Sequence, residues 1–321
     1  INGLDPEGIR EMRETLLKLN KEQGMTMIIS SHILGELNKL ATTFGIIKDG
    51  VLIQEISKDQ LDEKCKEYLS IEVDNTEKAC FVLEEMTEEI KMHNEKGEKT
   101  VFICPVGPVG QYPFFVEMVN KERISLKNVW FINMDEYLDD EKKWIEETHP
   151  LSFRGFMNRE VYGKIDEELL MPQEQRVFPD PENLDYIPNL IEKLGGVDIC
   201  FGGIGINGHV AFNEADPSMS PEEFLAQKTR VLEITKETRT ANAIGDFGGA
   251  LEDMPHYCVT IGIYEIAHAR KIRLGCFRNW HRAVVRRAAY GEATADFPVS
   301  LLTGHADINL KITEFVAALE G

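Results

Sequence analysis

Asn207, His209 and Glu214 share one short stretch, Asn207-Gly208-His209-Val210-Ala211-Phe212-Asn213-Glu214, directly after an apolar run. That stretch holds an imidazole, a carboxylate and an amide. An imidazole moves protons near neutral pH, a carboxylate can orient and tune it, and an amide can hold the ring by hydrogen bonds. A second acidic pair lies in Asn133-Met134-Asp135-Glu136-Tyr137, after the apolar residues 128–132. A carboxylate in a partly apolar site can take a proton from carbon beside a developing carbonyl. Each group has a plainer reading: turn acids or helix caps for Asp135 and Glu136, a structural histidine for His209, a surface carboxylate for Glu214. Their joint placement after strands is what points to proton-transfer chemistry.

The elements that must position these groups are legible from residue 100 onward. Strands are expected over 100–104, 128–132, 197–201, 258–263 and 271–276, and helices over 112–119, 150–158, 187–194 and 279–290. This alternation predicts an α/β fold, a mainly parallel sheet with helices on both faces. Ligands of such sheets bind outside the carboxyl ends of the strands. Three loops lie there: 105–110 with Gly107, 133–137 with Asp135, and 202–214 with Gly203, Gly205, Asn207, Gly208, His209 and Glu214. The run from Gly203 to Gly208 fits GxGxxG, but a dinucleotide site needs a helix next, and Val210-Ala211-Phe212 reads as extended. A metal on Asp135, His209 and Glu214 would lack HExxH-type helical spacing. No cofactor and no metal are expected.

Composition sets outer bounds. The 321 residues carry a formal net charge of −20, with 43% hydrophobic and 28% charged residues. Such a surface repels nucleic acid and anionic membranes, so an anionic substrate needs a local cationic pocket. No apolar run approaches the ~18 residues of a membrane helix. The cysteines at 65, 80, 104, 200, 258 and 276 form no CxxC pair, which suits free thiols in the cytoplasm. The start, Ile1-Asn2-Gly3-Leu4-Asp5-Pro6, lacks a Met and a signal pattern and reads as an internal fragment. Oligomeric state is not legible; a homo-oligomer stays open.

The first 86 residues have a separate pattern. Asp5 and Pro6 suit a helix start, and Ile9, Met12, Leu16 and Leu19 recur at helical spacing up to Gly24. A strand is expected over 26–30, then a helix through Leu34 and Leu37, and a hairpin around Asp49-Gly50. A further strand is expected over 69–73 and a helix over 76–86. Residues 84–99 read as the end of a helix whose beginning is absent.

Two resemblances follow from these motifs. Asn2-Gly3-Leu4-Asp5-Pro6, Ser30-Ser31-His32 and Lys48-Asp49-Gly50 resemble the D-loop, switch histidine and following hairpin of ABC transporter ATPases. Residues 1–86 are therefore expected to be a C-terminal fragment of such an ATP-binding domain. The phosphate loop GxxxxGK[ST] is missing from the sequence, so no independent ATPase is expected. Asn133 to Tyr137, Gly202 to Glu214, His149-Pro150 and Thr238-Arg239-Thr240-Ala241-Asn242 resemble the glucosamine-6-phosphate deaminase/isomerase family, which covers residues 87–321. That resemblance implies a sugar-phosphate substrate. His209 would open the pyranose ring, Glu214 would tune the imidazole, and Asp135 would take the C2 proton. Release of ammonia would then give the ketose. A lactonase, a ketose isomerase and a sugar-phosphate sensor on the same scaffold remain alternatives.

Departures from that family are expected to matter. An acidic residue of the family falls at Asn207, which implies slower acid–base chemistry. Its hydroxyl-rich first loop is replaced by Cys104-Pro105-Val106-Gly107-Pro108, with no hydroxyl and two prolines lacking N–H donors. Its arginine falls at Ile244 and its lysine at Arg278, near His281 and Arg282. Arg278 reads equally as a phosphate ligand or a helix-end charge. The join favours two reading frames stitched together over a natural fusion, because both parts read as incomplete. Few core contacts are expected between residues 1–86 and the rest.

Overall fold

A computed structural model describes residues 12, 15–20, 24–29, 40–48, 51–58, 70–74, 80–106, 112–278 and 280–318. The chain divides into two compact units, Ile1–Tyr68 and Leu69–Gly321. In the first, residues 15–20 are helical. Gly24 follows with φ +65°, a left-handed conformation glycine adopts at little cost. Residues 26–29 are not a strand: Ile28 is fully exposed, and no paired strand lies beside them among the described residues. An extended apolar run needs a neighbour for its backbone groups, and among the described residues it has no strand partner. Strands β1 (Thr43–Lys48) and β2 (Val51–Ser57) form the expected antiparallel hairpin. The motifs Asn2 to Pro6, Ser30 to His32 and Asp49-Gly50 lie outside the described residues.

The second unit opens earlier than the sequence suggests. Strand β3 (Ser70–Asp74) pairs in parallel with the last strand of the sheet. Helix α1 (Cys80–Lys96) then runs straight through the expected boundary at residues 86 and 87. Its charge density hides that role. Glu85 pairs with Arg273 and Glu89 with Lys271, each at 2.8 Å, while Met86 and Ile90 are buried beneath. The helix beginning expected to be absent is present.

Strand β4 (Thr100–Cys104), helix α2 (Tyr112–Glu122) and strand β5 (Val129–Asn133) follow. After the single residue Met134, β6 (Asp135–Leu138) starts at once, so residues 135–137 are strand rather than loop. Next come α3 (Phe153–Glu160), β7 (Arg176–Val177), α4 (Tyr186–Leu194) and β8 (Ile199–Gly203). Then come α5 (Pro221–Leu225), β9 (Arg230–Glu233), α6 (Lys236–Asp246) and β10 (Tyr257–Thr260). Helix α7 (Ile263–Ala267), β11 (Lys271–Cys276), α8 (His281–Tyr290), β12 (Ile308–Thr313) and α9 (Glu314–Ala317) complete the unit.

Seven strands form one sheet in the order β3-β12-β11-β8-β4-β5-β7, every pair parallel. The centre of this sheet is apolar on both faces. Along β4, Val101 and Ile103 enter one core cluster, while Phe102 and Cys104 enter the other. Alternation of side chains across a strand makes this the mark of a doubly covered sheet. A smaller antiparallel sheet, β6-β10-β9, sits apart from it in hydrogen bonding. The run at 258–263 was expected in the parallel sheet. Its strand, β10, instead forms the middle of the small one. Among the described residues no helix is long and apolar enough to cross a membrane.

Candidate active site

The crevice at the end of β8 is built on glycines. Gly205 N–H donates to His209 O at 2.8 Å, and Gly208 N–H donates to Gly205 O at 3.0 Å. The loop therefore doubles back immediately. A Cβ on Gly205 would fall 1.9 Å from the His209 ring, so the imidazole rests directly on that backbone. Gly208 has φ +84°, and a Cβ there would lie 2.4 Å from Phe297. Gly203 has no such demand, since its nearest neighbour would be an ordinary contact with Gly275 O at 3.5 Å. No helix follows; the next is α5, so the GxGxxG pattern is not a dinucleotide turn.

Val210-Ala211-Phe212 is a turn with Ala211 at φ +55°, where the sequence reads as extended. Buried Asn213 enforces it. Its Nδ2 donates to Val210 O at 2.9 Å and Ile261 O at 3.1 Å, and its Oδ1 accepts from Arg230 at 2.7 Å. Those bonds bring Glu214 back towards the imidazole.

Asn207, His209 and Glu214 form one hydrogen-bonded relay. Asn207 Nδ2 donates to Glu214 Oε2 at 2.6 Å. With its amide so oriented, Asn207 Oδ1 faces His209 Nδ1 at 2.7 Å and accepts the His209 backbone N–H at 3.3 Å. An amide oxygen can only accept, so Nδ1 carries the hydrogen and the neutral ring presents the Nε2 lone pair. His209 Nδ1 is also 3.5 Å from Glu214 Oε2. Thr235 and Thr238 hydroxyls donate to that same oxygen at 3.3 and 3.1 Å. Burial pushes the Glu214 carboxyl up, but hydrogen bonding to His209, the His209 charge and the donors on Asn207 and Thr238 outweigh it, leaving a lowered pKa.

Asp135 and Glu136 are adjacent and do different work. Glu136 is fully buried and accepts from Phe153 N, Arg154 N, Ser152 Oγ and Arg154 Nε at 2.8–3.2 Å. It closes the start of α3, a structural role. Among the described residues the Asp135 carboxylate accepts no hydrogen bond. Burial, and then the neighbouring Glu136 charge, hold its pKa well above the ordinary range. In register, Asp135 faces Thr260 of β10, whose Oγ1 accepts the Phe212 N–H at 3.1 Å. The buried Cys258 thiol, raised first by burial, feels the charges of both Asp135 and Glu214. Through Thr260, β6 and β10 meet the loop that carries His209 and Glu214.

The other candidates fare differently. Gly107 lies outside the described residues. Its neighbours Pro105 and Val106 are buried, and the Tyr112 hydroxyl donates to Pro105 O. Arg278 does not touch the relay; its Nη2 donates to Asp246 at 2.9 Å. Helix α6 adds Thr235, which lies outside the family-like motifs, and gives roles to Thr238 and Asn242 within one of them. Thr235 caps it, Thr238 joins the relay, and Asn242 Nδ2 donates to the Tyr137 hydroxyl at 3.0 Å. The Thr235-x-x-Thr238 helix start was the available signal.

A doubly covered parallel sheet with an imidazole, an amide and a carboxylate hydrogen-bonded at one strand end is an α/β architecture whose ligands bind outside the carboxyl ends of the strands. No protein-family model matches the chain. A glucosamine-6-phosphate deaminase of Exiguobacterium sibiricum is 34% identical over 213 residues, spanning 66% of this chain and 77% of that relative. A solved monomeric glucosamine-6-phosphate deaminase is 25% identical with a TM-score of 0.65, covering 78% of this chain and all of that one. A 6-phosphogluconolactonase from Thermotoga maritima shares the fold, at 12% identity and TM-score 0.57 over 77% of this chain and all of that one. The chain belongs to the glucosamine-6-phosphate deaminase family.

Proposed function

We propose that the second unit converts an amino-sugar phosphate, glucosamine 6-phosphate, to the ketose phosphate and ammonia. The relay of Asn207, His209 and Glu214, with buried Asp135 on the strand paired to Thr260 against the same loop, carries this reading. In the reaction His209 takes the proton of the anomeric hydroxyl and delivers it to the ring oxygen, and the pyranose opens to an aldehyde. The Asp135 carboxylate takes the C2 proton, leaving an enolamine. Reprotonation at C1 gives an imine at C2, which water hydrolyses to the ketose with loss of ammonia. A raised pKa makes Asp135 a stronger base, and the substrate's ammonium group favours its ionised form on binding. No step needs a redox cofactor.

Ammonia release from glucosamine 6-phosphate tests the reading. Asp135→Asn is expected to lower kcat by about 10³-fold, within the usual range for loss of a positioned base. Lactone hydrolysis without ammonia release, or full turnover by the Asn variant, overturns it.

For residues 1–68 the proposal is a remnant of an ABC-type ATP-binding domain. The antiparallel pairing of β1 with β2 supports it.

A further inference from the structure

Helix α6 serves the crevice at both ends. Its first turn gives Thr238 to the relay, and its last gives Gly245 and Asp246 to Arg278. The Arg278–Asp246 pair is 40% and 44% exposed. A Cβ at position 245 would fall 2.3 Å from Arg278 Nη1, so the guanidinium approaches the helix this closely because that residue is glycine. The backbone of Arg278 is anchored from the opposite side. Its N–H donates to His281 Nδ1 at 2.9 Å, and His281 Nε2 donates to Ile204 O at 3.1 Å. Ile204 precedes Gly205, on which the His209 ring rests. Burial lowers the His281 pKa to about 4, so this strut stays neutral at physiological pH. Arg278 is thus held at a fixed place beside the crevice.

The cation there is already taken. Ile244, one turn or less from the pair, is 72% exposed and carries no charge. Residues 105–111, Pro-Val-Gly-Pro-Val-Gly-Gln, supply no cation either. We propose that Asp246 is a specificity determinant. Its carboxylate occupies Arg278 as an intramolecular anion, and the phosphate of the substrate binds by displacing it. This rests on the reading that the substrate carries a phosphate. Arg278 and Asp246 together carry no net charge, whereas Arg278 would present a full positive charge if Asp246 were neutral. At such spacing near a surface, one like charge weakens anion binding on the order of tenfold.

The test is a double-mutant cycle on the full chain. Dissociation constants for inorganic phosphate and KM for glucosamine 6-phosphate are measured for wild type, Asp246→Asn, Arg278→Gln and the double variant, at low and high salt. Asp246→Asn is expected to tighten phosphate binding about tenfold and to lower KM by a similar factor, both effects shrinking with salt. Arg278→Gln is expected to weaken both, and most of the gain from Asn to vanish in its background. Unchanged or weaker phosphate binding by Asp246→Asn overturns the proposal. So does a gain that survives in full without Arg278, or an effect confined to kcat. If no variant turns over amino-sugar phosphates, the functional reading fails instead, and phosphate binding still reports on the pair.

Discussion

The two ends of the crevice are wired to different standards. At the proton-transfer end, Glu214 is 9% exposed and receives Asn207, Thr235 and Thr238, with the imidazole fixed against a glycine. At the other end a single guanidinium pairs with one half-exposed carboxylate. Buried networks in which every polar atom has a partner are rigid and intolerant of change. An exposed ion pair contributes little to stability and is readily exchanged for another anion. The His209 ring is under tight steric control, and the Arg278–Asp246 pair is not.

Matched substitutions break or sharpen that contrast. Gly205→Ala is expected to have the larger effect, because the new methyl would sit inside the present position of the His209 ring. Displacing the ring by about 1 Å costs roughly 10²-fold in kcat/KM. Steady-state kinetics check this, and an active Gly205→Ala enzyme would show that the relay is less rigid than its contacts suggest.

Glu214→Gln comes next. It keeps a side chain of the same shape while removing the charge that the relay is built around. Loss of a charged hydrogen bond is worth about 1.5–3 kcal/mol, or roughly 10- to 100-fold in kcat. The pH dependence of stability should change with it. Because the folded-state pKa of Glu214 is depressed below its ordinary 4.5, its contribution is fully present above that value. The contribution is lost as pH falls through the lowered folded value. Urea titrations of the Gln variant should lack this segment of acid destabilisation; an unaltered acid limb contradicts the assigned shift.

Much of this contrast was legible in the sequence. The loop from Asn207 to Glu214 announced itself by residue type, and Asp135 by its place after a strand. The parallel sheet followed from alternating apolar runs. What escaped was decided by tertiary partners. Helix α1 looked like the polar end of something missing, because Glu85 and Glu89 find Arg273 and Lys271 only in three dimensions. Strand β6 looked like a loop because its partner, β10, is more than a hundred residues away. The turn at Ala211 is imposed by Asn213, a buried amide whose acceptors lie on another segment. The weak end was the least legible: Arg278 could be found, but not that Asp246 holds it.

Gly245→Ala applies the Gly205 substitution to that loose end, where the smallest effect is expected. The close neighbour is again within van der Waals distance, 2.3 Å from the added carbon, but it is the tip of a flexible arginine. The guanidinium can swing away, as the imidazole over Gly205 cannot. Position 245 is inside α6 and has no left-handed φ, so alanine should stabilise the helix by up to about 1 kcal/mol. For a unit of this size that is roughly 2–4 °C in Tm. Loosening Arg278 from Asp246 should lower KM by no more than about threefold, the scale expected for a half-exposed pair. Thermal melts and KM together decide it. If Gly245→Ala costs as much activity as Gly205→Ala, the two ends are equally rigid, and Arg278 is fixed by more than its ion pair.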